Sequence, residues 1–278
     1  MDRDAVLTAY NVQVRQSTSP DGTGATIEAD GIVVRRIAPA GQDGSGIVWS
    51  NLDETSADAV IAEQVRFFGG RGVKFEWKVF DYDQPADLAG RLVAAGFVAG
   101  EPESFVVGEV DQIIGALRSA ELPAGVIARH VTDEAGVELM TAVQERVFNE
   151  DRSELGESIR AQLAAAPEVI GVVLAMAGDE PVCAGRIEFL PGTEFAGLWG
   201  GGTLPGWRKR GIYRALVRYR AELAAGRGYK YLTVDASEDS RPILEKVGFT
   251  RLAITTPYVW APAPGRRTSV GIRTALSG

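Results

Sequence analysis

Cysteine and histidine are almost missing from this chain: among 278 residues, Cys183 and His130 each stand alone. One thiol cannot close an internal disulfide, and one thiol with one imidazole falls short of the four ligands of a structural zinc site. Cys183 therefore reads as a small buried strand residue. Long apolar runs are missing too, since nothing approaches the roughly 20 residues a helix needs to span a bilayer. The start Met1-Asp2-Arg3-Asp4 offers neither a basic nor an apolar leader segment, so the expectation is a cytoplasmic protein with no membrane partner. Positive charge is in deficit, with 29 Lys and Arg against 37 Asp and Glu for a net charge of −8, which argues against general affinity for nucleic acid. An acidic surface can attract a cationic amine, though keeping the protein soluble is its commoner work. What is plentiful is apolar content, 45%, beside 24% charged residues, enough for one large core or two ordinary ones and too much for disorder.

Against this acidic background the run Leu204-Pro205-Gly206-Trp207-Arg208-Lys209-Arg210-Gly211-Ile212-Tyr213-Arg214-Ala215-Leu216 is locally basic. It leads from a predicted strand, Phe195 to Thr203, into a helix whose apolar positions are Ile212, Ala215, Leu216, Tyr219 and Leu223. Backbone N–H groups at a helix start carry partial positive charge and point out along the axis, so such a turn suits an anion. The plain alternative is a solvated basic corner between a strand and a helix. Neither the G-x-G-x-x-G dinucleotide fingerprint nor the G-x-x-x-x-G-K-[ST] triphosphate loop is present.

The helix is predicted to end near Gly226-Arg227-Gly228, and Tyr229 to Asp235 alternates like a strand. Ser240-Arg241-Pro242-Ile243-Leu244-Glu245-Lys246-Val247-Gly248-Phe249 then predicts a short helix, with Pro242 in its first turn and Gly248 at a left-handed C-terminus. This succession resembles the GNAT family of acyl-CoA N-acyltransferases. Arg208 and Gly211 fill the first two fixed positions of the family's R/Q-x-x-G-x-G/A signature, and Tyr213 stands where Gly or Ala is usual. Glu245-Lys246-Val247-Gly248-Phe249 matches its closing E-K-x-G-F, but Leu244 replaces the tyrosine that often precedes it.

An internal repeat emerges with Gly-Phe as the anchor. Gly70-Arg71-Gly72 parallels Gly226-Arg227-Gly228, and Gly96-Phe97 parallels Gly248-Phe249, at spacings of 26 and 22 residues. Upstream, Gly46-Ile47-Val48-Trp49 matches Gly197-Leu198-Trp199-Gly200, and a helix from Ala59 to Phe68, with Val60, Ile61, Val65 and Phe68 on one face, matches the helix after the basic turn. The expected fold is α/β, an α+β mixed sheet in two tandem GNAT-like modules, each a twisted, mostly antiparallel sheet flanked by helices. Residues 1–120 read as a degenerate, non-catalytic module and 121–278 as the catalytic one, with a Pro- and Gly-bearing connector at Arg118 to Gly125. In the first copy Ser50-Asn51-Leu52-Asp53-Glu54-Thr55-Ser56 replaces the basic turn. Its carboxylates would repel a pyrophosphate, and Thr55 or Ser56 is the expected N-cap. Trp77, Phe80 and Tyr82 are expected as core packing with one exposed aromatic. Helices at 133–148 and 153–166 and strands at 168–177 and 183–190 complete the second module, and Ala261 to Arg267 reads as a loop or hairpin turn.

The resemblance implies acetyl-CoA as cofactor, held by the turn Arg208, Lys209, Arg210, Gly211, Ile212 and Tyr213, with main-chain groups of Gly202, Thr203 and Leu204 pairing with the pantetheine arm. Gly200, Gly201 and Gly202 allow a close approach or a bulge. The implied reaction is acyl transfer to a primary amine of a small molecule or an amino terminus. A catalytically weak acyl-CoA-binding sensor or scaffold is the alternative. A tandem synthase acting on an amino sugar or thiol precursor is a third reading, carried by the two-module plan alone. For the base, Glu188 leads, because Arg186, Glu188 and Leu190 share a strand face; Glu194, Glu145 and Glu150 are the others. With Leu244 in place of tyrosine, Ser240 or Tyr213 protonates the thiolate, or it departs unaided; Ser240 also reads as a helix N-cap and borders the cofactor. No metal is implied, and both monomer and homodimer are open.

Overall fold

The computed structural model describes residues 1–262. The predicted turn from Ala261 to Arg267 lies, beyond its first two residues, outside them. Helix α1 (Arg3–Tyr10) is capped by Asp2, whose carboxylate accepts the Ala5 N–H at 3.2 Å, and it runs into a π-helical stretch, Asn11–Gln16. Then come β1 (Thr26–Ala29), β2 (Val33–Ile37), β3 (Gly46–Ser50), α2 (Ala57–Gly69), β4 (Phe75–Phe80), α3 (Leu88–Ala94), β5 (Val98–Ala99), β6 (Glu103–Glu109) and α4 (Val110–Ala116). Beyond the connector lie β7 (Val126–Val131), α5 (Glu134–Phe148), α6 (Ser153–Ala165), β8 (Ile170–Ala177), β9 (Glu180–Phe189), β10 (Phe195–Thr203), α7 (Ile212–Gly226), β11 (Tyr231–Ala236), α8 (Arg241–Glu245) and β12 (Thr250–Trp260).

All these strands join one mixed, mostly antiparallel sheet in the order β1-β2-β3-β4-β12-β6-β11-β10-β9-β8-β7, with β5 on β12. The parallel neighbours are β3 with β4 and β10 with β11, and each pair is linked by a helix, α2 or α7. The sequence repeat is thus a repeated βαβ unit. Its caps repeat as well: Val73 N–H reaches the Phe68 carbonyl past Gly72 at φ 67°, and Tyr229 N–H reaches the Ala224 carbonyl past Gly228 at φ 81°. The Gly-Phe pairs close α3 and α8 in one way, with Phe97 N–H on Leu92 and Phe249 N–H on Leu244, each at 3.1 Å past a left-handed glycine.

The sheet is not divided at the connector. Strand β6, from before it, pairs with β11 along Tyr231 to Ala236, while β12, at the chain's far end, pairs with β4 along Thr255 to Trp260. The two crossing strands also pair with each other. Each half therefore lends its last strand to the ladder of the other.

Helices α4, α7 and α8 bury Val110, Ile113, Val217, Ala221 and Leu244 on one face of the sheet, against Ile187, Leu198 and Leu232. The opposite face is covered by α5 and α6, which pack on Val172, Leu174 and Ala184, and by α1, which packs on Phe80, Phe105 and Phe195. In the first half, α2 and α3 cover Phe75, Trp77 and Val79 with Ile61, Phe68, Leu88 and Leu92. Trp77 and Phe80 are core residues and Tyr82 is half-buried.

Local departures from the sequence expectations have simple causes. Ser56 occupies the N-cap of α2 but makes no side-chain bond into the helix; Asp53 instead braces the turn just before it, accepting the N–H groups of Thr55 at 2.9 Å and Ser56 at 2.8 Å. Asp133 likewise caps α5 through Gly136 N–H, so that helix proper starts at Glu134. Strand β8 starts only at Ile170, because Pro167–Val169 form a 3-10 turn.

Candidate active site

The turn after β10 has the backbone geometry of an anion cradle. Lys209 at φ 64° and Gly211 at φ 82° both lie in the left-handed region, which for a lysine is an unfavourable conformation held by its surroundings. The first bond of α7 runs from Ala215 N–H to the Gly211 carbonyl at 3.0 Å, and Gly211 provides no side-chain cap. The N–H groups of Ile212, Tyr213 and Arg214 thus have no partner within the helix. Arg208, Lys209 and Arg210 are exposed, and none of them forms an ion pair among the described residues. Arg208 Nε is tied to the Thr203 carbonyl at 3.1 Å, and Arg210 stacks over Trp207 at 4.7 Å. At the matching place in the first half, the Asp53 carboxylate sets a negative charge in the turn that leads into α2. Hydrogen bonds from Thr55 and Ser56 hold its pKa well below the usual carboxylate range.

Strands β10 and β11 pair only from Phe195 to Gly197, opposite Tyr231 to Thr233, and then part. Beyond the fork, β10 carries a bulge between Trp199 and Gly202. Gly200 there has φ 57°, and its carbonyl accepts the Gln144 side chain at 3.0 Å. The glycines let helices from both faces close on this bulge. A Cβ at Gly202 would meet Val147 of α5 at 2.6 Å, and one at Gly201 would meet the Tyr213 ring of α7 at 2.9 Å. Thr203 and Leu204 are buried at the strand's end, where Thr203 Oγ1 lies 3.1 Å from Cys183 Sγ and Leu204 N–H bonds the Val182 carbonyl.

The predicted acid and base candidates fall on different sides of the sheet. Glu188 is opposite Gly197 on the face of α5 and α6, half-buried and paired with Arg186 at 3.0 Å. Tyr213 is on the other face, where burial raises its phenol pKa. Ser240 stands at the N-cap of α8 without capping it; its hydroxyl donates to the Ser237 carbonyl at 3.3 Å. Glu194 is engaged elsewhere, by Lys230 and Gln13 at the start of β10, and the Lys230 contact lowers its pKa. Glu145 accepts Arg152 N–H at 3.3 Å between α5 and α6, and Glu150 pairs with Arg152 at the surface. Leu244 is fully buried beneath α8.

Three further groups at the fork, Asp235, Lys78 and Gln144, are given no role by the sequence expectations. Asp235, two residues past the last β10–β11 pair, accepts Thr255 Oγ1 at 3.1 Å and pairs with Lys78 of β4. Lys78 also lies 5.8 Å from the Trp199 ring, which Arg186 approaches at 5.7 Å. Their meeting depends on the crossed strands, which no local pattern announces. Gln144 does leave a signal, as the polar member of the buried stripe Val137, Met140, Val143 of α5. Among the described residues there is no cluster of ligands suited to a metal, and no helix is long and apolar enough to cross a membrane.

The described chain is thus an α/β protein built on one mixed sheet, with a splayed parallel pair, a bulge at the fork and a basic helix start beside it. Residues 137–249 match the family model described as Acetyltransferase (GNAT) family. Among solved structures, a GCN5-related N-acetyltransferase from Kribbella flavida is 19% identical, with 92% of this chain and 96% of that one covered at a TM-score of 0.66. A tandem GNAT protein from the clavulanic acid biosynthesis pathway is 12% identical, covering 95% and 97% at 0.61. A functionally unknown conserved protein from Staphylococcus epidermidis is 11% identical, covering 87% and 96% at 0.63. At these identities the likeness is one of fold. No curated protein matches the chain.

Proposed function

We propose that the protein is an acetyl-CoA-dependent N-acetyltransferase acting on a primary amine of a small molecule or an amino terminus, with its active site in the C-terminal half. The observation that carries this reading is the helix start at Gly211, with its free N–H groups beside three unpaired cations. It fits the diphosphate of coenzyme A, with Arg208, Lys209, Arg210, Gly211, Ile212 and Tyr213 as the cradle. The edge of β10 turned away from β9 at Gly202 and Thr203 fits the pantetheine arm as an added strand, which stops short of Leu204, whose N–H is already bonded to the Val182 carbonyl. The first half, whose equivalent turn is closed by Asp53, is a non-catalytic module that completes the sheet and supplies Lys78 to the acceptor face.

Bound acetyl-CoA supplies an activated acyl group. The protein's part is to hold it in line with the amine and to manage protons. Glu188, on the acceptor face, takes the proton that the amine sheds, directly or through water, and a main-chain N–H at the bulge faces the developing oxyanion. On the other face Tyr213 or Ser240 donates a proton to the sulfur, or the sulfur leaves as the thiolate without one. The second reading, an acyl-CoA-binding sensor with weak catalysis, is favoured by one observation: Leu244 puts a buried hydrocarbon where family members often carry a hydroxyl. Incubating the protein with acetyl-CoA and a panel of amines while following free thiol separates the two. Turnover with an acceptor supports the enzyme, whereas tight CoA binding with no thiol release for any amine supports the sensor.

A further inference from the structure

Arg220 is a buried cation without an anion. It lies about two turns into α7 and is 1% exposed. Its Nε donates to the Leu216 carbonyl and its Nη1 to the Arg186 carbonyl, both at 3.1 Å. Among the described residues no carboxylate comes within ion-pair distance, and Nη2 makes no hydrogen bond. Burying a charge unpaired is costly, and burial pulls the pKa of this guanidinium down. Gly185 makes room for it. A Cβ there would lie 2.8 Å from its Cζ and Nη1, and Nη2 reaches to 3.4 Å from where a Cβ of Gly201 would stand. The chain thus forgoes a side chain at Gly185 to keep a charge that has no ion-pair partner among the described residues.

Its neighbours are β9, through the Arg186 carbonyl, and the bulge of β10, through Gly201. Gly201 belongs to the bulge of β10, on the stretch that has already left β11, and Nη2 approaches it from the side of α7. An arm laid along β10 from the turn at Leu204 back to Gly201 covers three residues of strand, about 10 Å, and ends beside this guanidinium.

We infer that Arg220 stabilises the thiolate released from the acyl donor; the inference rests on the reading that acyl-CoA lies along β10 from Gly211. In the step it serves, the amine nitrogen forms a bond to the acyl carbon and the carbon–sulfur bond breaks. The electron pair of that bond goes to sulfur, the proton shed by nitrogen passes to solvent through the acceptor face, and the products are the amide and CoA thiolate paired with the guanidinium. The thiolate is reprotonated from water on release.

The thiol of bound CoA provides a readout that is independent of turnover. In the wild-type protein, the affinity for CoA relative to desulfo-CoA, measured by calorimetry between pH 6 and 9, rises with pH because the bound thiol ionises about 1–3 units below its free value near ~8.5. Arg220→Met abolishes that rise and lowers kcat about 10- to 100-fold, with KM for acetyl-CoA changing less than about threefold; Arg220→Lys keeps part of both. A pH-independent ratio in the wild-type protein overturns the role of Arg220 and leaves CoA binding standing. No binding of either ligand overturns both. The wild-type and lysine measurements decide the matter even if Arg220→Met fails to fold.

Discussion

At the scale of single residues, the bulge depends on Gly200 and Gln144. Gly200 holds a left-handed φ of 57°, and a Cβ there would collide with Gln144 Nε2, displacing the amide that bonds its carbonyl. Gly200→Ala is therefore expected to cost about 1–3 kcal/mol, read as a lower urea midpoint with an unchanged slope. Cys183 offers a pH test, since burial pushes its thiol from 9.0 up to about 11. The folded state holds this proton more tightly than the unfolded chain. Its contribution to stability is complete below the unfolded thiol's pKa and is lost as pH rises towards about 11. Thiol labelling at pH 8 should accordingly proceed only at the unfolding rate, and rapid labelling of the native protein would contradict the burial. The basic turn with its glycine and the glycine-flanked strand were legible in the sequence, because backbone freedom and charge are local properties; the left-handed φ of Gly211 came only from the structure. Arg220 and Asp235 were not, since their meaning comes from what the tertiary fold places, or fails to place, beside them.

At the scale of elements, the repeat was legible because it rests on caps and periodicity: two βαβ units, each followed by a short helix that a left-handed glycine closes before a phenylalanine. The docking of α1 and the π-helical stretch was not, because it depends on one long-range pair. Arg15 binds Asp83 with two bonds of 2.8 Å, donates to the Val48 carbonyl and stacks on Phe80 at 4.1 Å, with both charged side chains buried. Arg15→Ala leaves Asp83 buried and unpaired. It is expected to destabilise the protein by about 3–5 kcal/mol, a loss that denaturant titration would register. Gln13 of the same stretch bonds Glu194 at the start of β10, so the N-terminal segment is anchored to both halves.

At the scale of the whole molecule, a connector rich in turn residues suggested a clean boundary near residue 120, yet the pairing of β6 with β11 and of β12 with β4 crosses it twice. Strand exchange of this kind is invisible to sequence because each strand keeps the same alternation whichever partner it has. It does make a prediction. Residues 121–262 expressed alone lack β6 between β11 and β12 and should aggregate, whereas co-expression with residues 1–120 should restore a soluble complex, and the intact chain should unfold in one transition. A monomeric, cooperatively unfolding 121–262 fragment would contradict the interlocked sheet.

The central claim is that main-chain N–H groups and cations at the start of α7 grip the diphosphate of coenzyme A. Titration calorimetry of acetyl-CoA into the intact protein tests it most directly, with Gly211→Asp as the control that places a carboxylate where the anion belongs. The account predicts saturable binding at one site in the wild-type protein, and at least about a tenfold loss of affinity in a variant that still unfolds cooperatively. Absence of wild-type binding, or equal affinity in the two proteins, would contradict it.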